Sequence, residues 1–375
     1  MNTAHACLAA TPDDITKRPQ DAPFLPEAIR EQRYQSPPMG ADMADKVFID
    51  CHFDHVDWTG CRLSNVRFVN CNVVGNRYTE CEIDRVTYES SRLDNAIWSD
   101  CRMRETLISE CQLGPCTWVG GSVRESICAN SKGSNWTFDT VRVAHFSVIA
   151  CELESLSVQS STWSDTSWIK CRLKDMAIAK TQLDNLIVGQ SEGSGITIDR
   201  CQGINMRWID TAIVGMIISD CVFDQAAWSH SRWTQGQVRN CRFPKASFDN
   251  AALDGISIKD SDLNQAMFDN ARLQACNLER LNAPRLSLRD ASLTNVNLAG
   301  AHLPQLDARG VQLDKVALRG ADCSRANLAG QDARVWASAD TPRAVFTSSI
   351  GHDEKLWLQR NRPGARIHDD LAKFR

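Results

Sequence analysis

From Phe48 to Ala333 one kind of residue returns at every fifth position, and neither of the common backbone periods can hold such a pattern. Of the 58 positions in that run whose numbers end in 3 or 8, 50 carry Phe, Trp, Tyr, Leu, Ile, Val or Met, and the rest are Cys, Gly or Ala. Two residues before each of them sits a mostly small or compact side chain, as at Cys51, Cys61, Cys71, Ala96, Ser126, Ala251 and Ala291. A helix repeats its buried face at three and four residues and a strand at two, so either would turn half of these side chains to solvent. A coil of four five-residue sides keeps both sets inward. The register predicts a corner after each pentapeptide, the central large residue and the small residue at i−2 pointing to the axis, and numbers ending in 4, 5, 9 and 0 largely exposed.

The small-x-large spacing resembles the pentapeptide-repeat family, whose A-(D/N)-L-x-x pattern reads almost literally in Ala291-Ser292-Leu293, Ala301-His302-Leu303 and Ala326-Asn327-Leu328. That resemblance spans about three quarters of the chain. It implies an all-β fold, a right-handed quadrilateral β-helix with irregular N-terminal and C-terminal extensions, in which each coil contacts only its neighbours. At a strand spacing of about 4.8 Å, some 14 coils make a rod roughly 70 Å long.

Three segments are expected. Residues 1–45 show no five-residue register and carry Pro19, Pro23, Pro26, Pro37 and Pro38, which suits an extended arm with one short helix around Pro26–Arg30. Residues 46–335 form the repeat. Residues 336–375 leave the register and are expected to cap it, with a helical turn over Asp353–Gln359 laying Leu356 and Trp357 on the last coil.

Composition removes several function classes. The net charge of −4 favours neither nucleic acid nor an anionic membrane surface, and no apolar stretch is long enough to span a bilayer. The chain lacks a basic segment followed by an apolar core at its start, so a cytoplasmic location is expected. Of sixteen cysteines, thirteen occupy i−2 positions and Cys128 and Cys323 occupy centres, leaving Cys7 outside the pattern. Thiols so placed act as small hydrophobes rather than as a disulfide framework. His52 and His55 lie close to Cys51, but the register points Cys51 inward and His52 outward, which argues against a metal site. Nucleophile-elbow, phosphate-loop and dinucleotide glycine motifs are missing, so neither a cofactor nor catalysis is expected. The large aromatic residues fall into columns twenty residues apart, Trp58 to Phe138 and Trp168 to Phe268, and are expected inside as ladders. Glycine replaces the central residue at Gly133, Gly193 and Gly203, which allows a bulge or pocket near residues 190–205.

The expected function is a non-catalytic scaffold for protein–protein interaction. The Cys- and Trp-rich repeats Cys61-Arg62-Leu63, Cys101-Arg102-Met103 and Cys171-Arg172-Leu173 look like those found beside bacterial type VI secretion adaptors, which implies a secretion component or effector as partner. Two alternatives are a small-molecule binder or enzyme, for which no site is visible, and a DNA mimic that binds gyrase, as other members of the family do. Mimicry requires an acidic rod, yet residues 46–335 hold 31 Lys and Arg against 34 Asp and Glu. A duplex carries one charge per roughly 1.7 Å, far more than this balance supplies. The binding surface is expected where charge thins out among residues ending in 7, at Ile97, Leu107, Ile127 and Ile187. The bland reading of these residues is β-propensity on a flat face.

Overall fold

The computed structural model describes residues 28–37, 42–347 and 366–368. Every regular element among them is a short strand, and the strands stack in parallel into four sheets. Each sheet takes one strand per coil, so the chain visits four faces in turn. The first begins with Asp42–Ala44, the second with Ile29–Arg30 and Val47–Ile49, the third with Arg33–Tyr34 and His52–Asp54, and the fourth with Asp57–Thr59. Partners lie twenty residues apart, as in Leu63↔Ile83 and Ile83↔Met103.

Corners make this register possible. Residues with numbers ending in 5 or 0 take positive φ almost throughout, for example Asn65 at 55° and Asn70 at 52°. Asn and Asp tolerate this left-handed conformation best among residues with a Cβ, and many corners carry them. Corner side chains also bond along the rod, as where the Asn65 amide donates to Asp45 at 2.7 Å. Between corners the residues ending in 3 or 8 are buried from Phe48 to Leu328, except that Leu313 is only partly so. Trp58, Tyr78, Trp98, Trp118 and Phe138 stack in one inner column with centroids 5.7, 5.5, 4.6 and 4.5 Å apart. Trp228, Phe248 and Phe268 continue a second at 5.0 and 4.4 Å.

The two halves of the rod turn differently. Up to about residue 222 all four sides are strands, most of them three residues long. Beyond it most sides tighten into turns with bonds such as Ala266 N to Leu263 O at 3.0 Å, while the third face keeps its strands to Gln312–Asp314. Alanine at i−2 lets these coils draw in, and Asn or Asp at i−1 satisfies the N–H freed two residues on. Asp262, Asn277, Asn297 and Asp322 each accept such a bond from residues 264, 279, 299 and 324.

Several expectations need correcting. The segment expected as an arm already contributes to the solenoid: Ile29 pairs with Phe48, Arg33 with His52 and Asp42 with Arg62, and Tyr34 stacks on Phe53 at 4.9 Å. Ile29–Arg30 is therefore strand, not helix, and its partner lies nineteen residues on, a slip that hides it from a strict five-residue reading. At the other end Asp322 pairs with Asp340 and Asn327 with Val345, a turn two residues short, with Trp336, Ala339, Thr341 and Ala344 buried. Val345–Thr347 then pairs with Arg366–His368. The helical turn expected over Asp353–Gln359 lies outside the described residues. Positions ending in 4 and 9 are mostly half-buried rather than exposed, because they lie flat on the faces and only the corners stand clear.

Candidate functional site

The second face differs from the other three in what it shows to solvent. Its outer positions end in 7 and 9. From Leu107–Ser109 through Ile127–Ala129, Ser147–Ile149, Ser167–Ile169 and Ile187–Gly189 they carry no charge. Leu107, Ile127, Ile149, Ile169 and Ile187 are all half-buried in this flat sheet. Leu107 and Ile127 are direct partners, and Ile187 lies three strands further along the same sheet. Ile97 does not join them. It pairs with Arg77 and Thr117 on the fourth face, which a four-sided coil places across the core from the second. Residues ending in 7 alternate between two opposite faces, so the four expected positions form a cluster of three and one outlier.

Sequence reasoning missed half of this surface. Ala129, Ile149, Ile169 and Ile209 occupy the i+1 column, which was expected to face water. Reading that column by twenties, as the i−1 column was read, would have exposed the same thinning of charge. The polar groups present are already satisfied in part, since Ser167 Oγ donates to Ser147 Oγ at 3.0 Å. Gly189 leaves room for Ile169, whose Cδ1 would lie 3.1 Å from a Cβ there, so the face stays level. Charge returns only at the corners, with Glu105, Glu110, Glu125, His145, Asp165 and Lys170 exposed along the two rims.

The third face is its opposite in character. Lys132, Glu152, Arg172 and Glu192 stand in one column, with Lys132 to Glu152 at 3.0 Å and Arg172 to Glu152 at 3.5 Å. The hydrogen bond from Lys132 holds the Glu152 carboxyl below its ordinary range. Gly114 and Ser134 lower the floor between these side chains, leaving an open groove of about 540 Å³. Pairs this exposed contribute little to stability.

Among the described residues no three His, Cys, Asp or Glu side chains come together as metal ligands. Cys51 is fully buried while His52 is half-buried and His55 exposed. Fifteen cysteines are free and buried, and Cys7 lies outside the described residues. Burial pushes the thiols of Cys71, Cys116 and Cys171 up to about 12, so at neutral pH they are protonated. Where thiols stack, one can donate to the next, which holds Cys81 down to about 7 and Cys101 up. At 1% exposure Cys81 nevertheless meets no reagent or substrate.

The glycines at core centres hold no pocket. A Cβ on Gly133 would lie 2.7 Å from the Trp136 ring, and one on Gly193 2.6 Å from Ile196 Cδ1. In both coils the bulk has moved from the centre to the following i−2 slot. Gly203 brings its strand against the backbone of Leu183.

A sequence profile described as Pentapeptide repeat region matches residues 41–118, and a second, described as Pentapeptide repeats (8 copies), matches residues 287–322. The chain is a pentapeptide-repeat protein. No curated protein matches its sequence. Among solved structures, this pentapeptide-repeat protein is similar to HetL, a pentapeptide repeat protein involved in heterocyst differentiation regulation from the cyanobacterium Nostoc sp. The identity is 17%, over 72% of this chain and 90% of HetL, with a TM-score of 0.25. It is also similar to QnrB1, a plasmid-mediated fluoroquinolone resistance protein, at 17% identity over 67% and 89% of the two chains and a TM-score of 0.26. Rfr23, a pentapeptide repeat protein from the cyanobacterium Cyanothece, matches at 20% identity over 35% and 87%, with a TM-score of 0.17. Likenesses of this size carry no argument about function.

Proposed function

We propose that this pentapeptide-repeat protein is a non-catalytic scaffold that binds another protein along its second face. The carrying observation is the uncharged run of five strands from Leu107–Ser109 to Ile187–Gly189, on a rod whose other faces bear charge. A partner can cover that run without stranding an ion, and charge depletion with apolar side chains marks the centre of protein interfaces. The finer reading is an adaptor or accessory of a bacterial type VI secretion system, working in the cytoplasm on a secretion component or effector. Its support is the Cys- and Trp-rich texture of the repeats and the fifteen buried free thiols, which suit a reducing compartment.

The test changes Leu107 and Ile127 together to Asp. Both side chains lie outside the core, so the fold is expected to persist, with an unfolding midpoint lowered modestly by two like charges on adjacent strands. Co-purification of the physiological partner should fall by about tenfold or more, as desolvated carboxylates oppose burial. A folded double variant that retains its partner in full would remove this face from the account. The pair Ile97→Asp and Thr117→Asp on the fourth face serves as the control and is expected to leave binding intact.

A further inference from the structure

The register that buries the thiols also brings two of them together. A cysteine at i−2 reaches back to the carbonyl oxygen of the central residue twenty-three positions earlier, as Cys71 does to Phe48 and Cys171 to Val148, both at 3.4 Å. Cys151 makes the same contact with Cys128 at 3.5 Å, and it is the one i−2 cysteine in the sequence whose central residue is itself a cysteine. Their sulfurs lie 3.8 Å apart, and both residues are free and buried. We propose that Cys128 and Cys151 are a redox latch, which a peroxide closes into a disulfide between two successive coils and a thiol reductant opens. The pair lies beneath the second face, and its chemistry does not depend on that face binding a partner.

Geometry sets this pair apart from the stacked thiols. Cys61, Cys81 and Cys101, like Cys201, Cys221 and Cys241, repeat one slot from coil to coil, so their Cα–Cβ bonds run parallel at about 4.8 Å. A disulfide requires Cβ atoms about 3.5–4.5 Å apart with the sulfurs turned toward each other, which translation along the rod does not give. Cys128 comes instead from the centre of the strand Ile127–Ala129, and Cys151 follows the corner at Ala150 on the next coil. The two side chains therefore converge from adjoining sides of the core, and their sulfurs have about 1.8 Å left to close.

Cys128 donates to Cys151 Sγ, which holds the Cys151 thiol below its ordinary range and, with burial, pushes Cys128 up. Cys151 is therefore the nucleophile. In the closed rod it is 1% exposed and out of reach, so oxidation proceeds when the coil opens locally, which coils held only by their neighbours allow. The Cys151 thiolate attacks one peroxide oxygen, the O–O bond breaks, and the leaving hydroxide takes up the thiol proton to become water. This leaves a sulfenic acid on Cys151. When the coil closes, Cys128 Sγ attacks the sulfenic sulfur. The S–S bond forms, the S–O bond breaks, and the oxygen leaves with the Cys128 proton as a second water. Two thiols have then given two electrons and two protons to one peroxide. Two thiols of a reductant open the bond by exchange and become a disulfide themselves. Closed, the latch holds residue 128 to residue 151 and opposes separation of the two coils.

The test treats the native full-length chain with hydrogen peroxide, alkylates the remaining thiols under denaturing conditions and digests with trypsin. Residues 125–132 and 143–170 are released as separate peptides with one cysteine each, so their cross-link identifies itself by mass. This cross-link is expected to exceed any other disulfide by about tenfold or more and to disappear on treatment with a thiol reductant. Cys151→Ser and Cys128→Val should each abolish it. Ser131 and Val148 fill the equivalent slots one coil away, so both variants are expected to keep the fold. Amide exchange over residues 127–151 of the oxidised chain should slow by about tenfold. Cross-links between stacked thiols, Cys151 with Cys171 or Cys81 with Cys101, at equal or higher yield would overturn the proposal. A peroxide treatment that leaves Cys128 and Cys151 as thiols, or carries Cys151 to the sulfinic acid without a cross-link, would overturn it as well. So would a cross-linked chain whose amide exchange is unchanged.

Discussion

Trp228→Ala is expected to cost about 3–5 kcal/mol, a large share of what holds a domain folded. Trp228 is 1% exposed and lies between Trp233 and Phe248, with ring centroids at 5.9 and 5.0 Å. Its indole N–H finds no acceptor among the described residues, so truncation gives up packing and no hydrogen bond. The cavity cannot collapse easily, because the coils above and below are fixed to the same twenty-residue register and each side chain in the column rests on the next. Since coils contact only their neighbours, the loss should appear first as local opening around residues 208–268 and then as a lowered midpoint in denaturant. Arg172→Ala is the matched control. Its side chain is 73% exposed and only 3.5 Å from Glu152, so the change should stay within about 0.5 kcal/mol. Equal losses at the two sites would contradict the inward assignment of the central residues.

Gly203→Ala is expected to cost about 3 kcal/mol or more, although it adds one methyl group. A Cβ on Gly203 would stand 1.8 Å from the carbonyl oxygen of Leu183 and 2.6 Å from its carbonyl carbon. Backbone cannot step aside without breaking the ladder, which is already thin here, with Gln182↔Gln202 the one register pair between the strands Gln182–Asp184 and Gln202–Ile204. Gly193→Ala makes the comparison sharp. Its Cβ would meet Ile196 Cδ1 at 2.6 Å and Ile213 Cδ1 at 3.1 Å, both ends of flexible side chains. Rotation of those methyl groups should hold the loss to about 1 kcal/mol. Thermal unfolding of the two variants measures the difference, and a Gly193 variant as damaged as the Gly203 variant would mean that side chains rather than backbone set the clearance at both.

The contrast between these glycines also marks where the sequence could be read and where it could not. The run from Phe48 to Leu328 was legible because period five has one economical solution, and strands such as Leu63, Ile83 and Met103 lie one above another as the numbering requires. Gly193 and Gly203 look alike in that register, yet one leaves room for a side chain and the other for backbone, a distinction that needs coordinates. Ile29 was missed because its strand pairs at nineteen residues, and a strict period discards such a slip. The candidate site was half legible. Leu107, Ile127 and Ile187 share a face as their spacing by multiples of twenty demands, whereas Ile97 differs from Leu107 by ten residues, which is half a coil and so the opposite side. Ile149 and Ile169 were overlooked through the assumption that i+1 positions stand in water. They lie flat against neighbours on a level sheet and are half-buried, and that turns a narrow column into a wider uncharged surface.

Side-chain footprinting with hydroxyl radicals tests most directly whether that surface is the one used. Labelling of the dilute purified chain is compared with labelling of the complex isolated with its physiological partner at equal protein stability. Leu107, Ile127, Ile149, Ile169 and Ile187 are expected to be protected in the complex, while Ile97 and Ile217 on the fourth face and Val214 on the third keep their labelling. Protection at Ile97, Ile217 or Val214 with the second face still fully labelled would contradict the account.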